Sequence, residues 1–318
     1  MTGTVAKPTI GIIGTGAIGG FYGLMLARAG FDVHFLLRSE FCAVAEHGLR
    51  LDSAVHGKLT LNPVQAYSCA EDMPPCDWLL IGAKTTSNAE LVPAILQAAA
   101  PDAKVLLLQN GLDVEDGLRE LLPDSLHVLG GLCYICVHRD GPGAITHQAL
   151  GMVHVGYHSG PAADEQAGTA IAEEGARLFQ AAGIDSHSMP NLHQARWQKL
   201  VWNIPYNGLS VLLGASTTPL MADADSRELI KAVMAEVVQG AIACGHEVAP
   251  GYAEHLFAMT EKMPDYWPSM YHDFLHKRPL ELAAIYARPL AAAKAAGCEM
   301  PRIEALYRSL SFIDRRNA

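Results

Sequence analysis

The pattern of apolar and polar residues changes character once along this 318-residue chain. The first part alternates short apolar runs with helical stretches. Thr9-Ile10-Gly11-Ile12-Ile13 is an apolar run ending at glycine and reads as a buried strand. Ile18 to Ala29 has helical spacing, and Gly30 stands where a helix C-terminus takes glycine. Val33 to Leu37 is a second strand, Trp78 to Ala83 a third and Val105 to Gln109 a fourth, with a helix around Ala89 to Ala100 before the last. Strands separated by helices predict a parallel sheet with crossover helices. Residues 126–157 are glycine-punctuated and β-like, with a turn at His138 to Gly143. They are expected to complete the far edge of the sheet. A helix over Ala167 to Ala182 and a last strand over Ile184 to Met189 follow.

Beyond Pro190 the strand signal disappears. Arg227 to Cys244, Leu280 to Ala296 and Ile303 to Ile313 carry Ala, Leu, Met and Glu at helical spacing. The predicted fold is therefore an α/β Rossmann-type N-terminal domain over residues 1–190 and an all-α C-terminal domain over residues 191–318. The length agrees with two domains, each able to bury its own core.

Composition narrows the function classes. Half of the residues are hydrophobic and 18% are charged, as in ordinary soluble globular proteins. Basic residues number 23 and acidic ones 33, for a net charge of -10. With no Lys/Arg-rich run, a nucleic-acid partner is not expected, although a local positive pocket for phosphates is still allowed. Seven cysteines, an odd number in a long chain, indicate free thiols in a reducing, cytoplasmic setting. Met1 to Lys7 reads as a short polar start without a leader, and no apolar run is long enough to span a membrane.

Candidate chemistry begins at Gly14-Thr15-Gly16-Ala17-Ile18-Gly19, a G-x-G-x-x-G loop that follows a strand and opens a helix. Gly14 permits the tight turn, Gly16 lets the backbone approach a pyrophosphate, and Gly19 allows close helix–strand packing. The helix N-terminus offers free N–H groups to phosphates. An NAD enzyme usually carries an acid at the end of the second strand, for the ribose hydroxyls. This chain has Arg38-Ser39 there, and Asp32 lies at the opposite end of the strand. A guanidinium and a hydroxyl suit the 2′-phosphate of NADP(H), although the same arginine also fits a solvent-facing position. Lys84, just past the third strand, either reaches the adenosine phosphate or lies on the surface.

In the second part, Lys199, Asn203 and Asn207 are spaced i, i+4, i+8 and share one helix face. The bland alternative is a solvated face, but asparagine is a poor helix former and two at one spacing invite another reason. Cys133-Tyr-Ile-Cys136 has metal or redox spacing with no second pair, and it lies in a predicted strand whose i and i+3 positions face opposite sides. No metal site is expected.

These residues together resemble the ketopantoate reductase (2-dehydropantoate 2-reductase) family, from Ile10 to about Ala296. The resemblance rests on Gly14–Gly19, Lys84 and Leu108-Gln109-Asn110-Gly111. It continues through the run from Lys199 to Asn207, and ends with Ser269 to Asp273 followed by Arg278-Pro279-Leu280-Glu281. It implies NADPH-dependent reduction of 2-dehydropantoate to pantoate, as in pantothenate and CoA biosynthesis, with the cofactor in a cleft between the domains. Lys199 is then the proton donor, its pKa expected to fall in a partly desolvated cleft. Asn110, Asn203 and Asn207 contact the substrate, Ser269 its carboxylate, and Glu281 the ligand and Lys199. Asn110 and Glu281 also belong to the cofactor side. Asp273, one turn from Ser269, is read as a helix-orienting, capping or solvated acid. A small-molecule 2-keto acid is the expected partner, and a homodimer is compatible with the helical part.

The chain departs from the family pattern at two places. Tyr266 replaces an asparagine ahead of Ser269. Ala283, Tyr286 and Ala287 replace the Asp and the Asn-Gly expected after Glu281. Tyr266, Trp267 and Tyr286 are expected to enlarge the substrate pocket if they line it, which leaves a related 2-keto acid as an alternative substrate. A β-hydroxyacid or polyol-type dehydrogenase and a non-catalytic NADP(H) sensor are the remaining alternatives.

Overall fold

The computed structural model describes residues 7–317; Met1 to Ala6, most of the expected polar start, lie outside them. The chain divides into two compact units. One comprises the residues up to Gln109 together with Glu115–Leu192, and the other comprises Asn110–Val114 together with His193–Ala318. The first is α/β and the second is helical.

The first unit is built on nine strands. These are β1 (Thr9–Ile13), β2 (Asp32–Leu36), β3 (Leu49–Ser53), β4 (Gly57–Leu61), β5 (Gln65–Tyr67), β6 (Cys76–Ile81), β7 (Ala99–Leu107), β8 (His127–Gly141) and β9 (Ala144–Ser159). Their order is β4-β3-β9-β8-β7-β6-β1-β2-β5. β1 sits between β2 and β6, parallel to both, which is why Ile10, Ile12 and Ile13 form an unbroken buried run. The helices are α1 (Ala17–Arg28), α2 (Phe41–His47), α3 (Asn88–Ala98), α4 (Val114–Arg119) and α5 (Glu165–Ala181). α1 buries Phe21, Tyr22, Leu24, Met25 and Leu26, and Tyr22 meets Phe179 of α5 edge-on at 5.5 Å.

Two expectations for this unit need correction. Residues 126–157 do not form the far edge of the sheet. They fold into one long antiparallel hairpin, β8–β9, and beyond it lie β3 and β4, whose alternating pattern the sequence reading passed over. Nor is Ile184 to Met189 a strand. It runs beside β9 through a single bridge from Ser188 to Val155, with bonds to Val153 and Val155 only. Its polarity does alternate, but Gly183 and Pro190 bracket it too closely for a ladder.

The second unit holds α6 (Leu192–Leu213), α7 (Thr217–Ala222), α8 (Ala224–Ala243), α9 (Tyr252–Lys262), α10 (Ser269–Leu275), α11 (Arg288–Ala295) and α12 (Pro301–Asn317). Its core includes Trp197, Val201, Ile204, Tyr206, Val233 and Ile303. The helix expected from Leu280 begins later. The Leu280 N–H is taken by the Asp314 carboxylate at 3.0 Å, and a π-helical turn, Ala283–Ala287, precedes α11. No helix among the described residues is long and apolar enough to cross a membrane.

Candidate functional site

In the first unit the glycine loop is tight on one side and open on the other. Gly14 has φ +90, and a Cβ there would lie 2.3 Å from the Ala83 nitrogen, so only glycine fits. A Cβ on Gly19 would meet the Gly14 carbonyl at 2.4 Å, whereas one on Gly16 would meet nothing within 4 Å. The Thr15 hydroxyl donates to the Leu36 carbonyl at 3.1 Å and ties the loop to the end of β2. Ala17 and Ile18 begin α1, whose N-terminus has no side-chain cap. An uncapped helix start beside open space at Gly16 fits a phosphate group, since orphan N–H donors and the helix dipole both favour an anion.

Arg38 lies past β2 with an exposed guanidinium, 3.5 Å from an exposed Glu90 carboxylate. Lys84 is half-buried ahead of α3 and has interactions within the protein. One nearby acid escaped the sequence reading. Glu40 follows Arg38-Ser39, where it could be taken for a ribose-binding acid. It is buried, however, and its carboxylate is paired with Arg139 and accepts the Gly143 N–H at 3.0 Å. Asp32, at the other end of β2, accepts from Gln65 at 2.7 Å, a bond that with His34 holds its carboxyl below the ordinary range.

The second unit gathers the remaining candidates around α6. The Lys199 ammonium donates to the Asn110 side-chain oxygen at 2.7 Å, a charge-assisted hydrogen bond. Asn203 and Asn207 are not on a solvated face, being only 6% and 2% exposed. The Asn207 side-chain oxygen accepts the Met270 N–H at 3.2 Å and the Ser269 hydroxyl at 3.5 Å. α6 thereby fixes the start of α10 and the position of Ser269. Asn203 lies one turn from both Lys199 and Asn207 on the same buried stretch of α6.

Glu281 is buried ahead of the π-turn and engaged within the protein. Asp273 is not solvated either; it is buried and accepts from the Arg278 guanidinium at 2.9 Å. Tyr286 is fully buried in the helical core, where its hydroxyl donates to the Ile204 carbonyl at 2.8 Å. Tyr266 is also buried, with its ring 6.4 Å from Trp202, and Trp267 stacks on Tyr271 at 3.9 Å. Cys133 and Cys136 are buried and in no disulfide, and burial pushes the Cys136 thiol up to about 12, out of thiolate chemistry at neutral pH. Among the described residues no cluster has the make-up of a metal site.

The comparisons with known proteins match this arrangement along nearly the whole chain. The family described as "Ketopantoate reductase PanE/ApbA" matches residues 10–160, and its C-terminal counterpart matches residues 191–314. The chain belongs to the ketopantoate reductase family. A curated 2-dehydropantoate 2-reductase of Nostoc sp. is 42% identical over 96% of this chain and 95% of its own length. The crystal structure of 2-dehydropantoate 2-reductase from Geobacter metallireducens is 38% identical, with a TM-score of 0.88 over 95% of this chain and 99% of that one. The Methylococcus capsulatus 2-dehydropantoate 2-reductase is 33% identical, with a TM-score of 0.83 over 98% of each chain. Membership of this reductase family makes the chain an oxidoreductase by class.

Proposed function

We propose that this protein catalyses the NADPH-dependent reduction of 2-dehydropantoate to pantoate. The observation that carries the reading is the Lys199–Asn110 hydrogen bond on the helix that also presents the buried Asn203 and Asn207 and fixes Ser269. A ketone becomes a hydroxyl when hydride reaches the carbonyl carbon and a proton reaches the oxygen.

In this reading the backbone from Gly14 to Gly19 holds the pyrophosphate of NADP(H), and Arg38 and Lys84 hold its adenosine phosphate. The open space at Gly16 and the uncapped α1 support this fit. When bound, the cofactor supplies the hydride. Lys199, positioned by its bond to Asn110, gives its proton to the developing alkoxide. The amide hydrogens of Asn203 and Asn207 donate to the substrate without adding charge. The Asn207 oxygen is already occupied by Met270 and Ser269, so only its NH2 group is left for a ligand. Ser269 holds the carboxylate by turning its one hydroxyl hydrogen from the 3.5 Å Asn207 contact to the ligand, and Glu281 orients Lys199 and the ligand.

At the two departures from the family pattern, Tyr286 is tied to the Ile204 carbonyl within the helical core and Tyr266 is buried beside Trp202. The comparisons with 2-dehydropantoate 2-reductases support 2-dehydropantoate as the substrate. The test is a steady-state survey of 2-dehydropantoate and other branched and aromatic 2-keto acids with NADPH and NADH, followed at the nicotinamide absorbance. The highest kcat/KM is expected for 2-dehydropantoate with NADPH. A preference of orders of magnitude for another 2-keto acid would move the substrate assignment, and consumption of NADPH by none of them would overturn the reading.

A further inference from the structure

We propose that Arg288 is a positioning residue that sets the Lys199–Asn110 hydrogen bond by clamping the Leu112 and Asp113 carbonyls of the segment that follows Asn110. The inference rests on the reading of Lys199 as the proton donor. Asn110 is carried on a short excursion, Asn110–Val114, that joins the helical unit. A short irregular segment does not hold a side chain in place by itself, so its hydrogen bonds must be accounted for.

Each residue after Asn110 is fastened. Gly111, at φ +112, packs so closely on Ala284 of the π-turn that an added Cβ would lie 2.4 Å from the Ala284 Cβ. Its carbonyl accepts from the buried Arg196 guanidinium at 3.1 Å. The Leu112 N–H donates to the Ala284 carbonyl at 2.9 Å. Asp113, a non-glycine residue at φ +53, is held by its side chain to His193 at 2.8 Å, and His193 is in turn 2.7 Å from His246.

Arg288 bridges two of these residues. One of its terminal nitrogens donates to the Leu112 carbonyl at 3.1 Å and also to that of Asp113. A planar guanidinium can serve two neighbouring carbonyls at once, which a flexible ammonium does less well. Arg288 also lies close enough to Asp113 to add to the effect of the His193 bond in holding that carboxyl below its ordinary range. It stands directly after Tyr286-Ala287, where the family pattern is broken. Arg196 and His193 lie on α6 with Lys199, so the helix that presents the ammonium also anchors the loop that receives it. Arg288, at the start of α11, holds the loop from outside α6, together with the Ala284 carbonyl of the π-turn.

The test compares Arg288→Met, Arg288→Gln and Asn110→Ala with the wild type, using kcat, the KM for NADPH and the pH profile of kcat. Asn110→Ala is expected to lower kcat and move the basic limb of the profile to lower pH, because the ammonium loses its acceptor. Arg288→Met is expected to move the limb in the same direction and to lower kcat about tenfold, a typical cost of sub-ångström misplacement. The KM for NADPH should stay the same. Arg288→Gln, which retains one donor group, should fall between. An Arg288 profile that stays at the wild-type position while that of Asn110→Ala moves overturns this inference alone. If Asn110→Ala itself leaves the profile unmoved, the underlying reading of Lys199 and Asn110 fails instead. If neither Arg288 variant yields a folded protein, the residue is a fold determinant and the positioning role is rejected.

Discussion

Asn207 offers a substitution in which structural and chemical roles separate. Its side-chain oxygen accepts the Met270 N–H at 3.2 Å and the Ser269 hydroxyl at 3.5 Å, both at the start of α10, and the residue is only 2% exposed. Asn207→Ala leaves the buried Met270 N–H without a partner. An orphaned buried donor costs about 1–3 kcal/mol, and losing a cap-like acceptor is of similar size, so a loss of about 2 kcal/mol is expected. At about 2–4 °C per kcal/mol this is a fall of roughly 4–8 °C in the melting temperature of the helical unit. Asn207→Asp retains the acceptor and places a negative charge at a helix N-terminus, where it is tolerated. Its melting temperature should therefore stay within about 2 °C of the wild type. The aspartate has no NH2 group, however, and its charge faces an anionic substrate. For this variant kcat/KM for 2-dehydropantoate should fall about a hundredfold, in line with the loss of a donor to the developing oxyanion. The KM for NADPH should be unchanged. Melting curves and steady-state kinetics on the three proteins decide the matter. An Asn207→Asp enzyme with wild-type kcat/KM would refute the argument, because the amide hydrogens would then play no part in binding substrate.

Two further outcomes follow from contacts in the first unit and from buried titratable groups. Glu90 competes with a cofactor phosphate for Arg38 through a surface pair, which is weak, so Glu90→Gln should tighten NADPH binding only about two- to fivefold and leave NADH alone. Equal changes for the two cofactors in a fluorescence titration would remove Arg38 from 2′-phosphate recognition. His127, His147 and His246 are all held below the ordinary histidine range by burial. The unfolded chain takes up those protons first, so this contribution is fully present above about pH 6.5 and is lost as pH falls toward the lowered folded values. The melting temperature should fall from pH 7 to pH 5, less steeply in His147→Gln, and a flat profile would contradict the burial argument. The Asp113 carboxyl, lowered chiefly by the His193 hydrogen bond, adds a second loss when pH drops through the carboxylate range.

Much of the first unit was legible in the sequence because its signals are local. The run Ile10 to Ile13, the glycine loop and the glycine after α1 each act within a few residues, and the strand–loop–helix start appears as expected. β3 and β4 were missed because a short edge hairpin with polar alternate positions resembles a loop. Ile184 to Met189 reads as a strand in sequence, but it only runs beside β9 through a single bridge, a difference that local sequence does not carry. In the second unit the i, i+4, i+8 stripe was visible, but its burial was not, since helical spacing does not say whether a polar face meets water or protein. The bond of Tyr286 to the Ile204 carbonyl, which spans the π-turn and α6, has no counterpart in sequence spacing. The anchors of Asn110, namely Arg196, Arg288 and the Asp113–His193–His246 chain, join residues far apart in sequence and leave no spacing to read.

The central claim is that Lys199, held by Asn110, delivers the proton in an NADPH-dependent keto acid reduction. It is tested most directly by measuring turnover and NADPH binding side by side in Lys199→Ala. The account predicts that reduction of 2-dehydropantoate falls by about 10²–10⁴-fold, as for loss of a positioned general acid, while NADPH affinity changes by less than about threefold. Turnover within a few-fold of the wild type would contradict the account.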